Sequence, residues 1–324
     1  MCHLTAIARI FIAILMRNPF LAAAIREQVS NFALAAHNHG ERIIALMDRL
    51  EAFKSIAAEA ARGELVFPTN VNASLKLQQA LDDPDCHMEK AAKLVQAEPL
   101  LAARTVAIAN SVAYNRSGGE ITNVRTAVMR LGFQTLRTLV AALVVRQFGS
   151  MISTPSLRNK AAQLWEHTAH VAALAQVIAK RVTRVDPETA MFAGIVHEVG
   201  GFYLLSRAKD YPGLLDGDLE DWVEYGQTKI GRSVLKQLAV PDSVTEAVEA
   251  LWYGFRALPP ETLGDTLLLA NDLAPVQSPL QQNVGGNTVE SASTIDFVVG
   301  DGTLASILEE SADEVQSLTA ALLM

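Results

Sequence analysis

The chain contains few cysteines, few aromatic residues and no excess of basic charge. Cys2 and Cys86 are its two cysteines in 324 residues, too few for a disulfide framework or a cysteine-based zinc site. Both are expected to be reduced thiols, as in a cytoplasmic protein. The net charge of −8 leaves the chain without the basic surface that nucleic-acid binding requires. Composition therefore excludes a disulfide framework and argues against direct nucleic-acid binding as the main task.

Long hydrophobic runs are also missing. The most apolar stretch near the N-terminus, Leu4 to Met16, spans about 13 residues and contains Arg9, whereas a transmembrane helix needs roughly 20 apolar residues. No basic region precedes this stretch, so a signal peptide is not predicted either. We predict no transmembrane segment and interpret the stretch as a core or oligomer-interface helix. A membrane-surface anchor remains the alternative.

What the chain has in quantity is Ala and Leu, which are strong helix formers, and half of its residues are apolar. Runs of β-branched residues are scarce, so the predicted fold class is all-α. Helix signals and turn residues divide the chain into four parts. These are an N-terminal helical extension (1–63), a first helical subdomain (64–152), a second helical subdomain (153–274), and a flexible loop with a C-terminal helix (275–324).

The stretch Thr189 to Phe202, TAMFAGIVHEVGGF, places His197 and Glu198 side by side in apolar surroundings. Burial of two ionisable groups costs several kcal/mol unless they are paired, hydrogen-bonded or bound to a metal ion. Asp186 and Pro187 are typical of a helix start, and the helix is expected to run through His197 and end at Gly200-Gly201. Either neighbouring side chains satisfy the His and Glu, or a metal ion does.

Other kinds of site find little support in the sequence. Gly118-Gly119 lacks the following Lys-Ser or Lys-Thr of a phosphate-binding loop, and no Gly-x-Ser-x-Gly motif occurs. Asn110 and Ser111 have the chemistry of ligand contacts, but local hydrogen bonds at a helix end are the favoured interpretation.

An ordered set of short motifs resembles the HDOD domain over about two-thirds of the chain, from Glu64 to Ala274. The first half carries Glu98-Pro99-Leu100, Ala109-Asn110-Ser111-Val112-Ala113-Tyr114 and Ala127-Val128-Met129-Arg130-Leu131-Gly132. The second half carries Trp165-Glu166-His167-Thr168, Ala193-Gly194-Ile195-Val196-His197-Glu198-Val199-Gly200, Glu224-Tyr225-Gly226 and Val240-Pro241. Each motif is weak alone, and the ordered set is specific.

HDOD domains are similar to the HD superfamily of metal-dependent phosphohydrolases, whose metal ligands include a His, a His-Asp pair and later His and Asp residues. The resemblance places the first ligand at His167 and the pair at His197 and Glu198, with Glu in place of Asp. It places the last carboxylate at Asp272. No later histidine is found, and Lys229 would bring positive charge to a cation site. We therefore expect vestigial ligand positions only, with no bound metal, no cofactor and no catalytic residue.

The resemblance implies an HD-like multi-helix bundle of two subdomains that acts as a non-enzymatic signal-transduction module in the bacterial cytoplasm. Its expected partners are proteins of two-component or cyclic di-GMP signalling, and its N-terminal helices are expected to drive homo-oligomerisation. A small ligand could tune the module at the degenerate site. The alternatives are a phosphohydrolase with an altered metal-ligand set and a nucleotide-binding sensor without turnover.

Overall fold

The computed structural model of the chain describes most residues from 49 to 280 and the C-terminal residues 303–324. The described ranges are 49–65, 67, 69–116, 118–150, 152–211, 213–215, 221–253, 257, 259–280 and 303–324. By its packing the chain divides between Glu51 and Ala52, and the candidate site and the helix packing around it belong to the second unit. The predicted helix at Leu4 to Met16, Cys2 and the N-terminal oligomer interface lie outside the described residues.

All regular structure in the described ranges is helical, which confirms the predicted fold class. The first seven helices are α1 (49–61), α2 (Thr69–Asp82), α3 (Met88–Gln96), α4 (Pro99–Asn110), α5 (Val124–Ser150), α6 (Pro155–Ile178) and α7 (Pro187–Val196). The next are α8 (Val199–Arg207), α9 (Arg232–Gln237), α10 (Asp242–Tyr253), α11 (Leu263–Asp272), α12 (Thr303–Glu310) and α13 (Ala312–Leu323). A π-helical turn, Ala179–Thr183, follows α6, and a π-helix, Trp222–Gly231, precedes α9.

The helix boundaries follow the capping chemistry of the sequence. Asp186 caps α7 by accepting a hydrogen bond from the Thr189 backbone N–H at 2.8 Å, and Pro187 occupies the first turn, as predicted. Thr262 and Asp265 form a reciprocal capping box at the start of α11. These caps fix where α7 and α11 begin, and the candidate site includes residues that directly follow α7 and a residue of α11.

Helix α5 is broken at Gly132, whose φ of +75° lies in the left-handed region that favours glycine. The sequence predicts a helix end there, and the break confirms it. Among the described residues, α5 is long and apolar enough to cross a bilayer, but 67% of its most apolar window is buried inside the protein. Helix α5 is therefore a core helix.

The core is centred on α5, α6 and α7, which pack against one another. Helices α2, α3 and α4 pack against α5, and helices α11 and α13 pack against α6. Cys86, the cysteine within the described ranges, is a buried free thiol. The domain boundaries predicted at 63, 152 and 274 stay predictions.

One helix prediction that bears on the site is wrong. Helix α7 ends at Val196 instead of continuing to Gly200-Gly201, and a new helix begins at Val199. A side chain at Gly200 would place its Cβ 2.7 Å from the Gly231 Cα, so Gly200 allows the start of α8 to approach the backbone of the π-helix closely. His197 and Glu198 consequently form the corner between two helices.

Candidate functional site

Three buried side chains meet where α6, α7 and α8 converge. His167 projects from α6, and His197 and Glu198 occupy the α7–α8 corner. One ligand atom from each residue lies within 4.8 Å of the corresponding atoms of the other two. We call these three residues the His–His–Glu cluster. Sequence reasoning named all three, and the structure brings them together.

Backbone carbonyls fix the orientation of both imidazole rings. The His167 Nδ1 lies 2.7 Å from the Val276 carbonyl oxygen, and the His197 Nδ1 lies 2.7 Å from the Gly194 carbonyl oxygen. A carbonyl oxygen can only accept a hydrogen bond, so each Nδ1 carries the hydrogen. The two Nε2 atoms face each other at 3.2 Å. When both rings are neutral, each Nε2 atom carries a lone pair, and the two lone pairs point toward the space between the rings.

Burial sets the protonation of the cluster. It lowers the pKa of His167, against the opposing effect of the hydrogen bond to Val276. Burial, with the nearby His167, lowers the pKa of His197 to about 3. Burial also raises the pKa of Glu198 to about 7, against the opposing effect of the hydrogen bond from the Ser278 hydroxyl. At neutral pH both imidazoles are therefore neutral, and no ring proton lies between the Nε2 atoms.

Residues 274–280, which follow α11, lie over the cluster, and we call them the covering segment. Besides the contacts of Val276 and Ser278, the Gln277 carbonyl oxygen accepts a hydrogen bond from the Gln163 side chain at 3.1 Å. A Cβ added at Gly201 would lie 2.6 Å from Leu280 Cδ1 and 2.9 Å from Glu198 Oε2. The missing side chain at Gly201 thus makes room for both groups. Sequence composition assigned this segment to a flexible loop and gave no sign of these contacts.

A fourth polar side chain, not foreseen from the sequence, lies at the cluster. The Asn271 amide lies within hydrogen-bonding reach of His167 and raises its pKa, and its buried Oδ1 atom makes no hydrogen bond of standard geometry. Asp272, which the resemblance matched to the last carboxylate, is not part of the cluster in the described structure. The polar side chain beside His167 therefore belongs to Asn271, the residue directly before Asp272.

Two further sequence expectations concern residues that lie elsewhere. The Lys229 ammonium binds Glu224 at 2.9 Å and lies over the Tyr225 ring, on the exposed side of the π-helix. Asn110 exchanges hydrogen bonds with the backbone of Ile121 and donates to the Val106 carbonyl. Ser111 donates to the Ile108 carbonyl. The structural interpretation of Asn110 and Ser111 is confirmed.

The donor atoms of the cluster fit one divalent metal ion. With zinc–nitrogen bonds of about 2.0–2.1 Å, two imidazole ligands of a tetrahedral ion stand about 3.3 Å apart, and the two Nε2 atoms are 3.2 Å apart. Glu198 adds an oxygen donor within 4.8 Å of the nitrogen donors, and the Asn271 amide lies within hydrogen-bonding reach of His167. Within the described ranges no second group of His, Cys, Asp or Glu side chains has this proximity. The residues therefore suit one ion and not the ion pair of a two-metal centre.

Comparison with known proteins identifies the family. Residues 67–252, more than half of the chain, match the HDOD domain. The chain belongs to the HDOD family. HDOD domains are related to HD phosphohydrolases. No curated protein matches the chain.

Several solved structures share the fold of this HDOD protein. A candidate metal-dependent phosphohydrolase from Shewanella amazonensis is 21% identical, with a TM-score of 0.64 over 85% of this chain and 99% of that one. An HDOD domain protein of unknown function from Geobacter sulfurreducens is 20% identical, with a TM-score of 0.55 over the same shares. A candidate signal transduction protein from Marinobacter aquaeolei is 17% identical, with a TM-score of 0.50 over 85% of this chain and 66% of that one. At such identities these likenesses show the fold alone.

Proposed function

We propose that this HDOD protein is a non-enzymatic regulatory module of bacterial signal transduction that acts through protein–protein contacts in the cytoplasm. The observation that carries the proposal is the covering segment, which holds His167 through the Val276 carbonyl and Glu198 through the Ser278 hydroxyl. The three side chains that would have to meet a substrate are buried beneath the protein's own chain. A module of this kind transmits a signal when another protein binds to it.

The chemistry of phosphate-ester hydrolysis supports the same conclusion. A two-metal centre holds its ions about 3.5–4 Å apart and leaves open coordination positions for water and phosphate. The described residues offer donors for one ion at the cluster, and the covering segment lies over them. Glu198, where the enzymes have Asp, is longer by one methylene and differs in reach. We therefore propose, in line with the sequence prediction, that none of these residues is catalytic.

Contacts with other proteins have candidate anchor points on α4 and α5, which pack against each other. Leu100 on α4 is 62% exposed, and Met129 on α5 is 66% exposed. We propose partners from two-component or cyclic di-GMP signalling, which is consistent with the family and with the Marinobacter neighbour of related fold. Homo-oligomerisation through residues 1–63 is part of the same proposal.

Turnover assays test the proposal. The purified full-length chain, supplied in turn with Mn²⁺, Fe²⁺, Mg²⁺ and Zn²⁺, is expected to hydrolyse neither phosphodiesters nor phosphomonoesters above the background of the His197→Ala variant. Hydrolysis that the His197→Ala variant abolishes would overturn the non-enzymatic function and establish an HD phosphohydrolase with an altered ligand set.

That phosphohydrolase is the second candidate function, and the metal-compatible spacing of the two Nε2 atoms favours it. The nucleotide-sensor alternative has no specific feature of the described residues in its favour. Calorimetry against a panel of mono-, di- and cyclic nucleotides separates it from the proposed function. Saturable binding without turnover would support the sensor.

A further inference from the structure

The Asn271 amide lies within hydrogen-bonding reach of His167, and its buried Oδ1 atom makes no hydrogen bond of standard geometry. We propose that Asn271 is the fourth donor of a mononuclear site for a divalent transition-metal ion, together with His167, His197 and Glu198. This inference goes beyond the proposed function and does not depend on it, because a bound ion can stabilise or regulate a module that has no turnover. It also replaces the sequence expectation of no metal with a defined donor set.

The orientation of the two imidazoles is the first argument. Metal-bound histidines usually donate their second ring N–H to a carbonyl or carboxylate, which fixes the tautomer and aims the other nitrogen at the ion. Both rings of the cluster are held in this way, His167 by the Val276 carbonyl and His197 by the Gly194 carbonyl. Their Nε2 lone pairs meet at 3.2 Å and repel each other unless a cation lies between them.

The position of Asn271 is the second argument. It lies on the last turn of α11, a helix that packs against α6, where His167 is located. Successive residues of a helix point about 100° apart, so Asn271 can face His167 while Asp272 faces elsewhere. An amide oxygen can bind a metal ion. Buried oxygen atoms normally accept a hydrogen bond, and because Asn271 Oδ1 makes none of standard geometry, a metal ion would supply the missing interaction.

The donor types select the ion. Two imidazoles favour Zn²⁺, Co²⁺, Ni²⁺ or Fe²⁺, whereas Mg²⁺ and Ca²⁺ prefer sites made of oxygen atoms alone. Glu198 is the single carboxylate of the set, so a divalent ion leaves a local charge of +1. The rival arrangement has no ion. In that arrangement a protonated Glu198 donates its hydrogen to one Nε2 atom, and Asn271 does no more than hydrogen-bond to His167.

Cobalt distinguishes the two arrangements because its visible absorption reports coordination directly. The full-length chain is stripped with a chelator and titrated with Co²⁺, and the bound metal is counted by elemental analysis. We expect one equivalent of Co²⁺, a visible band typical of a four- or five-coordinate ion, and displacement by Zn²⁺. Binding is expected to be lost in His167→Ala and weakened at least tenfold in Asn271→Ala.

Two variants serve as controls. Asp272→Asn, which changes the neighbouring residue, is expected to bind Co²⁺ like the unmodified chain. Asn271→Asp keeps an oxygen donor and adds negative charge, so it is expected to bind at least as tightly and to shift the visible band. If Asn271→Ala does not fold, as judged by circular dichroism, the shifted band of Asn271→Asp still tests ligation.

Three results overturn the inference: no Co²⁺ bound by the unmodified chain, an unchanged affinity in Asn271→Ala, or an unchanged visible band in Asn271→Asp. These failures are distinct from a failure of the proposed function, which shows itself as hydrolysis. One bound ion without hydrolysis supports both proposals.

Discussion

The Tyr114 hydroxyl lies 2.7 and 2.9 Å from the two carboxylate oxygens of Glu188 and donates a hydrogen bond to that carboxylate. Tyr114 follows α4, and Glu188 stands in the first turn of α7. Thr135 and Gln176 donate to the same carboxylate, at 2.7 and 3.1 Å. Burial and the charge of Glu188 raise the pKa of Tyr114 far above its usual range. A single half-buried carboxylate thus connects the α4–α5 part of the bundle to α6 and α7.

Tyr114→Phe is expected to lower the free energy of unfolding by about 1–3 kcal/mol, because it removes a donor from a half-buried charged acceptor. Urea denaturation at neutral pH measures the change. Tyr253→Phe is the matched control, since Tyr253 is 57% exposed and surface substitutions usually have small effects. Equal losses in the two variants would contradict a stabilising role for the Tyr114–Glu188 hydrogen bond.

Gly194→Ala is expected to destabilise the fold by about 2–3 kcal/mol, the cost of overpacking between two rigid helices. A Cβ at Gly194 would lie 2.5 Å from the Ala172 Cα, which belongs to the backbone of α6 and cannot rotate away. Thermal unfolding followed by circular dichroism measures the effect. Gly149→Ala is the control: its nearest neighbour is the Ala161 Cβ at 3.7 Å, so the same change there should be neutral or slightly stabilising. A tolerated Gly194→Ala would show that α6 and α7 can separate at little cost.

Glu198→Gln is expected to stabilise the metal-free protein above neutral pH. The folded-state pKa of Glu198 is raised from 4.5 to about 7. The unfolded state therefore releases the Glu198 proton at a lower pH than the folded state does, and the protein loses stability as the pH rises through that range. The neutral amide avoids this penalty, which is roughly 3 kcal/mol at pH 8 by linkage. Urea unfolding of both proteins between pH 4 and pH 8 should give free energies of unfolding that nearly agree at pH 4 and differ increasingly, in favour of Glu198→Gln, as the pH rises. Parallel curves would mean that Glu198 titrates normally.

Ser278→Ala is expected to loosen the covering segment. It removes the hydroxyl that donates to Glu198 while keeping the Val276 carbonyl on His167. Hydrogen exchange measured by mass spectrometry should show faster exchange in peptides that contain residues 274–280, and unchanged exchange in α7. Ser233→Ala is the control, because the Ser233 hydroxyl donates to the Lys229 carbonyl in a solvent-exposed hydrogen bond. Exchange in residues 274–280 that is equal in both variants would argue against the segment being held by Ser278.

The helical class and several boundaries could be predicted because they depend on local chemistry. Asp186 and Pro187 define the start of α7, and Gly132 marks the break in α5, through backbone preferences that act within a few residues. The α7–α8 corner could not be predicted, because it depends on Gly200 meeting Gly231 across the fold. No pattern in the residues around His197 encodes that contact.

The candidate site divides in the same way. His167, His197 and Glu198 could be named because their residue types match a ligand set. Asn271 could not, because an amide next to an Asp is the less obvious donor, and only the rotation of α11 decides which of the two faces His167. The covering segment contacts the cluster through a carbonyl oxygen, a hydroxyl and one leucine side chain. A backbone carbonyl has no signature in a sequence.

Val276 and Ser278 each hold one member of the His–His–Glu cluster, and they are two residues apart on one stretch of chain. A partner that draws this stretch outward removes the acceptor of His167 and the donor to Glu198 in the same movement. Binding of such a partner and the arrangement of the cluster's side chains are then linked equilibria. By reciprocity, whatever stabilises one arrangement of the cluster changes the partner's affinity by the same factor.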